Sequence, residues 1–224
     1  MKCLSRYCMY VCLFVLIFSC RGQANKNQFT KNSDTSKSPI GGGCDGCELM
    51  YVGMPQDISL KDTSAGWFEK GQKLLIEGRV VKPDGKTGAA GVVLYYWHTN
   101  SEGYYAQQEG MDTRARRHGY LRGWVKSDQD GNYFIYTNRP VPYPNEKIPA
   151  HIHISVKEPQ FANEYYTDEL VFDDDVLLTN EKRKLLPNRG GTGILKTVTS
   201  GYMQVTKHQI TLGLNIPHYP PATK

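Results

Sequence analysis

The stretch "RGWVKSDQDGNYFIYT", residues 122–137, decides the fold class of this 224-residue chain. Aromatic and β-branched residues stand on both sides of an Asp-Gly step, and such residues favour strands. Asp130-Gly131 provides the turn, because glycine adopts positive φ angles without a steric penalty. The stretch therefore predicts two short strands joined by a tight turn.

The same pattern recurs along most of the chain. Short strands are predicted at 73–81, 91–98, 119–127, 132–137, 150–156, 169–172, 201–205 and 208–216. A single short helix is predicted at 180–186, where Pro187 ends it. Many short strands separated by turns predict an all-β domain, a β-sandwich in which two sheets pack their apolar faces together.

The N-terminus has the pattern of an export signal. Lys2 and Arg6 give a positive start, a short apolar run follows, and a small residue precedes Cys20. This pattern resembles that of bacterial lipoproteins, which implies a signal peptide at 1–19 and a lipidated Cys20 that anchors the protein to a membrane. A plain secretory signal is the alternative. We therefore expect an exported lipoprotein of the bacterial cell envelope, facing the periplasm or the cell surface.

Composition separates a tether from the folded part. Residues 20–42 are rich in Asn, Lys, Ser, Thr and Gln, so they predict a flexible tether, and the domain is predicted at 43–224. The net charge of +5 includes Lys2 and Arg6, and no basic stripe interleaved with aromatic residues occurs. We therefore expect no nucleic-acid partner.

Cysteine usage points to one small disulfide. Of the six cysteines, three lie in the predicted signal and Cys20 is the predicted lipidation site. Cys44 and Cys47 remain. A nearby pair in an exported protein indicates a disulfide, whereas a single Cys-x-x-Cys is a weak zinc signal. We therefore predict a Cys44–Cys47 disulfide at the start of the domain.

A histidine pair lies inside the apolar stretch "IPAHIHISV", residues 148–156. Residues two apart on a strand point to the same side, so His151 and His153 project together, with Ile152 on the opposite face. Such a pair suits zinc, copper or iron, and it also occurs where both rings only make hydrogen bonds. The other ligands therefore decide which metal, if any, is bound.

Histidines and carboxylates elsewhere do not complete the site in an obvious way. Asp173–Asp175 fall in a predicted turn, where solvated carboxylates are expected, and His98 is expected to be an interior histidine of a strand. The remaining histidines, which stand in no metal motif, are His118, His208 and His218. A zinc hydrolase, which needs an open position and a carboxylate base, stays as an alternative.

Tyrosine is the other candidate ligand. Tyr143 lies between two prolines just before the histidine pair, and Tyr105 follows a glycine at the end of a predicted strand. A phenol ionises near pH ~10, but a trivalent cation can deprotonate it. Two phenolates and two imidazoles suit Fe(III), and one hydroxide would leave the site formally neutral, which favours burial. Simple packing is the alternative for either tyrosine taken alone.

Four motifs occur in a characteristic order: "WHTNSEGYY" (97–105), "RGWVKSDQDGNYFIYT" (122–137), "PVPYP" (140–144) and "PAHIHISV" (149–156). In this order they resemble the intradiol ring-cleavage dioxygenases, the family of catechol and protocatechuate dioxygenases. The resemblance implies a β-sandwich that holds a mononuclear non-haem Fe(III). It implies four metal ligands at Tyr105, Tyr143, His151 and His153.

The resemblance also implies a reaction. A catechol-like aromatic diol would be cleaved by O₂ between its two hydroxylated carbons, giving a muconate-type diacid. The diol would displace the Tyr143 phenolate from the iron, and the freed phenolate would help to take up the proton of the diol. Breakdown of aromatic compounds is the expected role.

One position departs from the family pattern. Catechol and protocatechuate members usually carry an arginine three residues before the first histidine, where this chain has Ile148. Lys147 or Arg122 is expected to supply the missing cation. Further candidates are Arg114, Arg116 and Arg117. The predicted strands also begin without the N-terminal helical region of catechol-type members. These departures leave a second function open, a catalytically weak or inactive β-sandwich module that binds a ligand or partner at the cell envelope.

Overall fold

The computed structural model describes residues 38–44 and 46–221, in which two β-sheets face each other across an apolar core. The strands are β1 (Lys61–Thr63), β2 (Lys73–Val81), β3 (Val93–His98), β4 (Arg122–Lys126), β5 (Asn132–Asn138), β6 (His151–Lys157), β7 (Tyr165–Tyr166), β8 (Leu170–Phe172), β9 (Ile194–Leu195), β10 (Val198–Ser200) and β11 (Met203–Thr211). The helices are α1 (Asn180–Leu185) and three 3-10 turns at Cys47–Tyr51, Ala65–Trp67 and Thr113–His118. Within the described residues, no helix has the length and apolar character that crossing a membrane requires.

Strand pairing produces two mixed sheets. The first has the order β1-β5-β2-β11-β10, and the second has the order β4-β3-β6-β8-β9 with β7 beside β6. The buried core draws on both sheets, with Leu74, Ile76 and Ile135 from the first and Leu94, Ile152 and Ile154 from the second. The prediction of an all-β sandwich is confirmed.

Strand alternation places two sets of side chains on β6. Ile152 and Ile154 belong to the core cluster, so His151 and His153 face the outer side of the second sheet. Side chains on the neighbouring β3 alternate in the same way, and Leu94 is one of those that pack in the core. The histidine pair therefore stands outside the sandwich core, on the face that loops and the N-terminal segment cover.

Two features of the strand pattern differ from the prediction. Segments 201–205 and 208–216 form one strand, β11, which pairs in parallel with β2 over nine residues. Lys207 is exposed there, and a sheet with one solvated face tolerates such a residue without ending the strand. Four strands of two or three residues, β1, β7, β9 and β10, were not predicted, because each is too short to carry a strand pattern. β1, with the sequence "KDT", forms by parallel pairing with β5.

The N-terminal side of the domain contains the predicted disulfide. Cys44 and Cys47 are bonded, which confirms that prediction. Ile40 packs against the core, and the N–H of Gly41 donates to the carbonyl of Pro217 at 2.8 Å. These residues, assigned to the end of the tether, already contact the domain. The predicted signal at 1–19, Cys20 and most of the tether lie outside the described residues.

Candidate metal centre

The structure brings the four candidate ligands together. Tyr105 Oη lies 2.5 Å from Tyr143 Oη and 2.8 Å from His153 Nε2. Tyr143 Oη lies 3.1 Å from His151 Nε2. We call these four atoms the donor cluster. They come from two loops and one strand, so the site depends on how those segments approach one another.

Both imidazoles turn the same nitrogen towards the donor cluster. The Nδ1–H of His151 donates to the carbonyl of Pro149 at 2.8 Å, and Nδ1 of His153 lies 2.6 Å from Tyr166 Oη. Histidines that bind metals generally engage their second nitrogen in a hydrogen bond of this kind, which fixes the ring and the tautomer. The Nε2 lone pairs are thus aimed at the phenols.

A glycine lets the two tyrosine loops meet. Gly103, at φ 83°, lies in the loop that carries Tyr105, and an added Cβ would stand 2.3 Å from the Pro142 carbonyl oxygen and 2.9 Å from Pro144 Cδ. Those prolines flank Tyr143. Only glycine adopts this backbone conformation readily and leaves room for the opposite loop. The contact between the two phenols therefore depends on Gly103.

The local environment keeps the two phenols and the His153 imidazole neutral in the absence of a cation. Burial raises the pKa of Tyr105, and its hydrogen bond to Tyr143 raises that pKa further. Burial also raises the pKa of Tyr143 and holds the pKa of His153 well below its usual value. The imidazole of His153 is therefore unprotonated at neutral pH. The phenols need a strongly charged cation to lose their protons.

The donor cluster opens on a cavity of about 350 Å³. Its walls combine aromatic rings, a charged group of each sign and a disulfide. The lining residues are Gly43, Cys44, Trp97, Tyr105, Arg117, His118, Tyr143, His153, Tyr166 and Glu169. A mostly aromatic cleft with a few polar groups is typical of a site for a small aromatic molecule.

An aromatic layer supports one wall of the cavity. The Trp97 ring stacks on His153 at 4.7 Å and on His118 at 3.9 Å between ring centroids. Gly46 and Cys47, next to the Cys44–Cys47 disulfide, form a turn that we call the disulfide turn. It packs closely on this layer, since a Cβ added at Gly46 would lie 2.9 Å from His118 Nε2. On the strand beneath, the Ser155 hydroxyl donates to Cys47 Sγ at 3.1 Å. The disulfide turn is thus part of the cavity wall.

The candidate cations occupy different places. Neither Lys147 nor Arg122 is among the described residues that line the cavity. Lys147 and Ile148 are both exposed, and Arg122 donates to Tyr95 Oη at 3.3 Å. Arg117 does line the cavity. Of the cations considered from the sequence, Arg117 is therefore the one placed next to the donor cluster.

The acidic run in the loop after β8 was expected to be solvated, and the side chains of Asp173 and Asp174 are indeed exposed, although each also has a partner. Asp173 pairs with Arg183 at 2.5 Å, and Asp174 pairs with Arg139 at 2.6 Å. Asp175 Oδ2 accepts the N–H of Ala150 at 2.7 Å. The run therefore ties its loop to neighbouring elements, and Asp175 fixes the backbone directly before His151.

The interior histidine behaves as expected. His98 is fully buried. Its ring nitrogens bond the Thr99 carbonyl at 2.7 Å and the Thr137 hydroxyl at 2.8 Å. Because both nitrogens have partners, His98 is a structural residue, and the prediction is confirmed.

Two residues near the site were missed from the sequence. Tyr166 contacts His153, and a ligand atom of Glu169 lies within 4.8 Å of ligand atoms of His151 and His153. Tyr166 belongs to a two-residue strand, and Glu169 stands beside other acidic residues, so neither carries a metal motif. Their position follows from the pairing of β7 with β6, which the sequence does not reveal.

Comparison with known sequences gives a consistent picture. The model of a family described as Dioxygenase matches residues 52–186, more than half of the chain. Catechol 1,2-dioxygenase 1 of Acinetobacter lwoffii is 33% identical in an alignment over 147 residues that covers 54% of this chain and 45% of that protein. Chlorocatechol 1,2-dioxygenase of Pseudomonas sp. (strain P51) is 33% identical in an alignment over 112 residues that covers 42% of this chain and 43% of that protein. The matches thus span less than half of the length of these relatives.

Solved structures share the fold. A variant of the catechol 1,2-dioxygenase of Acinetobacter radioresistens matches with a TM-score of 0.52 and 19% identity, covering 75% of this chain and 62% of that one. The dioxygenase domain of a carbohydrate-binding fusion from Streptomyces sp. SirexAA-E matches with a TM-score of 0.50 and 20% identity, covering 71% of this chain and 91% of that one. Identities this low support the sandwich architecture alone.

Proposed function

The chain belongs to the intradiol ring-cleavage dioxygenase family, and on this premise we propose that it binds Fe(III) and uses O₂ to cleave a catechol-like aromatic diol. Cleavage falls between the two hydroxylated carbons and gives a muconate-type diacid, so both oxygen atoms enter the product and no external reductant is consumed. The observation that carries the proposal is the donor cluster at the edge of an aromatic cavity.

The chemistry of the donor cluster suits Fe(III). Two phenols with raised pKa values give up their protons only to a highly charged cation, and two imidazoles complete the set with neutral nitrogen. The ligands would be Tyr105, Tyr143, His151 and His153. When bound, iron supplies the positive charge that draws the diol in as a dianion and makes it reactive towards O₂.

The side chains around the cavity bind and orient the diol. Trp97 and Tyr166 provide aromatic walls for its ring. Tyr143 makes the longer of the two tyrosine–histidine contacts, 3.1 Å to His151 Nε2 against 2.8 Å between Tyr105 and His153 Nε2, so it is the ligand that would leave the cluster when the diol enters. Its oxygen, 2.5 Å from Tyr105 Oη, can then accept and hold the diol proton.

Arg117 takes the role for which the sequence suggested Lys147 or Arg122. A guanidinium in the cavity stabilises negative charge that builds up on the substrate. We expect Arg117→Met to lower kcat for oxygen uptake about 10-fold or more, while Lys147→Met changes it less than about 2-fold, since Lys147 does not line the cavity. Steady-state oxygen electrode measurements compare the two variants. A larger effect of Lys147→Met than of Arg117→Met would contradict the assignment.

Two observable properties test the proposed function. Charge transfer from tyrosinate to Fe(III) should colour the purified protein red, and oxygen uptake should occur with at least one diol among catechol, protocatechuate, hydroxyquinol and substituted catechols. A colourless protein that takes up no iron on reconstitution would refute the proposal. Bound iron without uptake on any diol would favour the ligand-binding module, and stoichiometric zinc would favour a hydrolase.

We also propose that the protein is an exported lipoprotein of the bacterial cell envelope, held at the membrane through Cys20. The Cys44–Cys47 disulfide supports export, because such bonds persist in oxidising compartments. Mass spectrometry of the protein isolated from membranes should find a mature N-terminus at a lipid-modified Cys20. An intact signal segment on soluble protein would argue against this localisation.

A further inference from the structure

We infer that Tyr166 and Glu169 form a positioning pair that fixes the ring and tautomer of His153 and thereby sets how tightly the site holds its metal. The inference rests on the metal site of the proposed function, and it is independent of the oxygen chemistry. Neither residue belongs to the donor cluster. Both line the same cavity and approach His153 at Nδ1, whereas Tyr105 of the donor cluster approaches it at Nε2.

Strand pairing explains why Tyr166 reaches His153. β7 pairs antiparallel with β6, and Tyr166 stands directly opposite Ser155. His153 and Ser155 share one face of β6, so the Tyr166 ring lies diagonally across from His153 and spans the gap between strands. Its oxygen lies 2.6 Å from His153 Nδ1. The N–H of Thr167, donating to the Ile154 carbonyl at 3.2 Å, holds the chain at that place.

Glu169 acts on His153 through this phenol. Burial raises the pKa of the Tyr166 phenol, and the neighbouring charge of Glu169 raises it further, while Glu169 Oε1 stands 3.7 Å from His153 Nδ1. That separation is beyond hydrogen-bond length. We therefore assign the effect of the carboxylate on the imidazole to the Tyr166 phenol, which contacts His153 Nδ1 at 2.6 Å.

The order of protons in this chain is fixed once His153 binds a metal. A ligating Nε2 carries no proton, so Nδ1 must carry one and donate it to Tyr166 Oη. The phenol then points its own proton at Glu169, the acceptor beside it. A carboxylate at the end of such a chain draws positive charge towards Nδ1 and makes Nε2 a stronger electron donor.

The two histidines are consequently unequal. Nδ1 of His151 donates to the carbonyl of Pro149, which is a neutral acceptor. Nδ1 of His153 is backed by a phenol that a carboxylate polarises. Of the two histidines, only His153 therefore has a side-chain partner at Nδ1, which a substitution can remove.

A direct role of Glu169 as a ligand is the competing explanation. Ligand atoms of His151, His153 and Glu169 lie within 4.8 Å of one another. Two histidines and a carboxylate are also a known metal-binding set. The phenols, however, meet His153 at Nε2, while Glu169 approaches its Nδ1 edge. A double-mutant cycle separates the two roles, because a residue that acts through Tyr166 has no effect once the phenol is removed.

The experiment compares Y166F, E169Q and the double variant with the wild-type protein. Fe(III) affinity is measured by competition with a chelator, and the visible charge-transfer band is recorded for each protein. We expect Y166F to weaken iron binding about 10- to 100-fold, the usual effect of removing such a partner, and to shift the band. E169Q should weaken binding less, and the double variant should match Y166F.

Tyr95→Phe is the matched control, because Tyr95 Oη is hydrogen-bonded to His118 Nδ1 at 2.8 Å, outside the donor cluster. It should leave iron affinity and band unchanged, and thermal unfolding of the metal-free proteins confirms that each variant folds. If Y166F kept the iron affinity and the charge-transfer band of the wild-type protein, this inference would be overturned, while the proposed function would stand. An E169Q loss that is equally large with and without Tyr166 would also overturn the inference, because it would make Glu169 a ligand. A wild-type protein that binds no Fe(III) would overturn the proposed function as well.

Discussion

Tyr105→Phe is expected to abolish stable iron binding and the red colour. Tyr105 Oη contacts both Tyr143 and His153, so its removal takes away a proposed ligand and the link between the two halves of the donor cluster. The loss of affinity should exceed about 100-fold, the upper range for residues that only support a ligand. Iron analysis after dialysis, the visible spectrum and oxygen uptake measure the effect.

Tyr104→Phe provides the control for this change. Tyr104 is 56% exposed, and its hydroxyl is not part of the donor cluster. It should keep full iron content, the same band and the same oxygen uptake. A Tyr105→Phe protein that retained stoichiometric iron with an unchanged band would rule out Tyr105 as a ligand.

Gly103→Ala is expected to disrupt the site although it replaces none of the four proposed metal ligands. The added methyl group would meet the Pro142 carbonyl and Pro144, so the loop that carries Tyr143 must move away. The left-handed backbone costs about 1–2 kcal/mol for alanine. Displacement of Tyr143 should reduce oxygen uptake at least about 100-fold, because a misplacement of about 1 Å can have such an effect.

Gly110→Ala separates the steric effect from the backbone effect. Gly110 also has positive φ, at 77°, but no atom lies within 4 Å of its added Cβ. It should lose a similar amount of stability in urea unfolding and keep its activity and colour. If both variants lost activity equally, the contact of Gly103 with the Tyr143 loop would not be the reason.

The sequence allowed the sandwich and the histidine pair to be predicted because both depend on local patterns. Alternation along β6 alone places His151 and His153 opposite Ile152, and the structure agrees. The tyrosines are different, because Tyr105 and His153 are far apart in the chain and meet only after folding. Their choice among fifteen tyrosines rested on the family resemblance.

The surroundings of the site could not be predicted, for a physical reason. Tyr166 contacts His153 through strand pairing, and Arg117 reaches the cavity from the end of a 3-10 turn. Asp173 pairs with Arg183, which comes from a helix ten residues later. Each of these depends on tertiary geometry, whereas composition and periodicity report only on the local chain.

The alternation of β6 has a consequence for strand register. A slip of one residue against β3 would carry His153 into the core and bring Ile152 or Ile154 to the cavity. The apolar core already forbids that slip, because it needs the isoleucines where they are. Burial of the apolar side chains and the proposed binding of iron therefore require the same strand register. The four donor atoms, which lie in a chain of contacts no longer than 3.1 Å, are assembled by the fold itself.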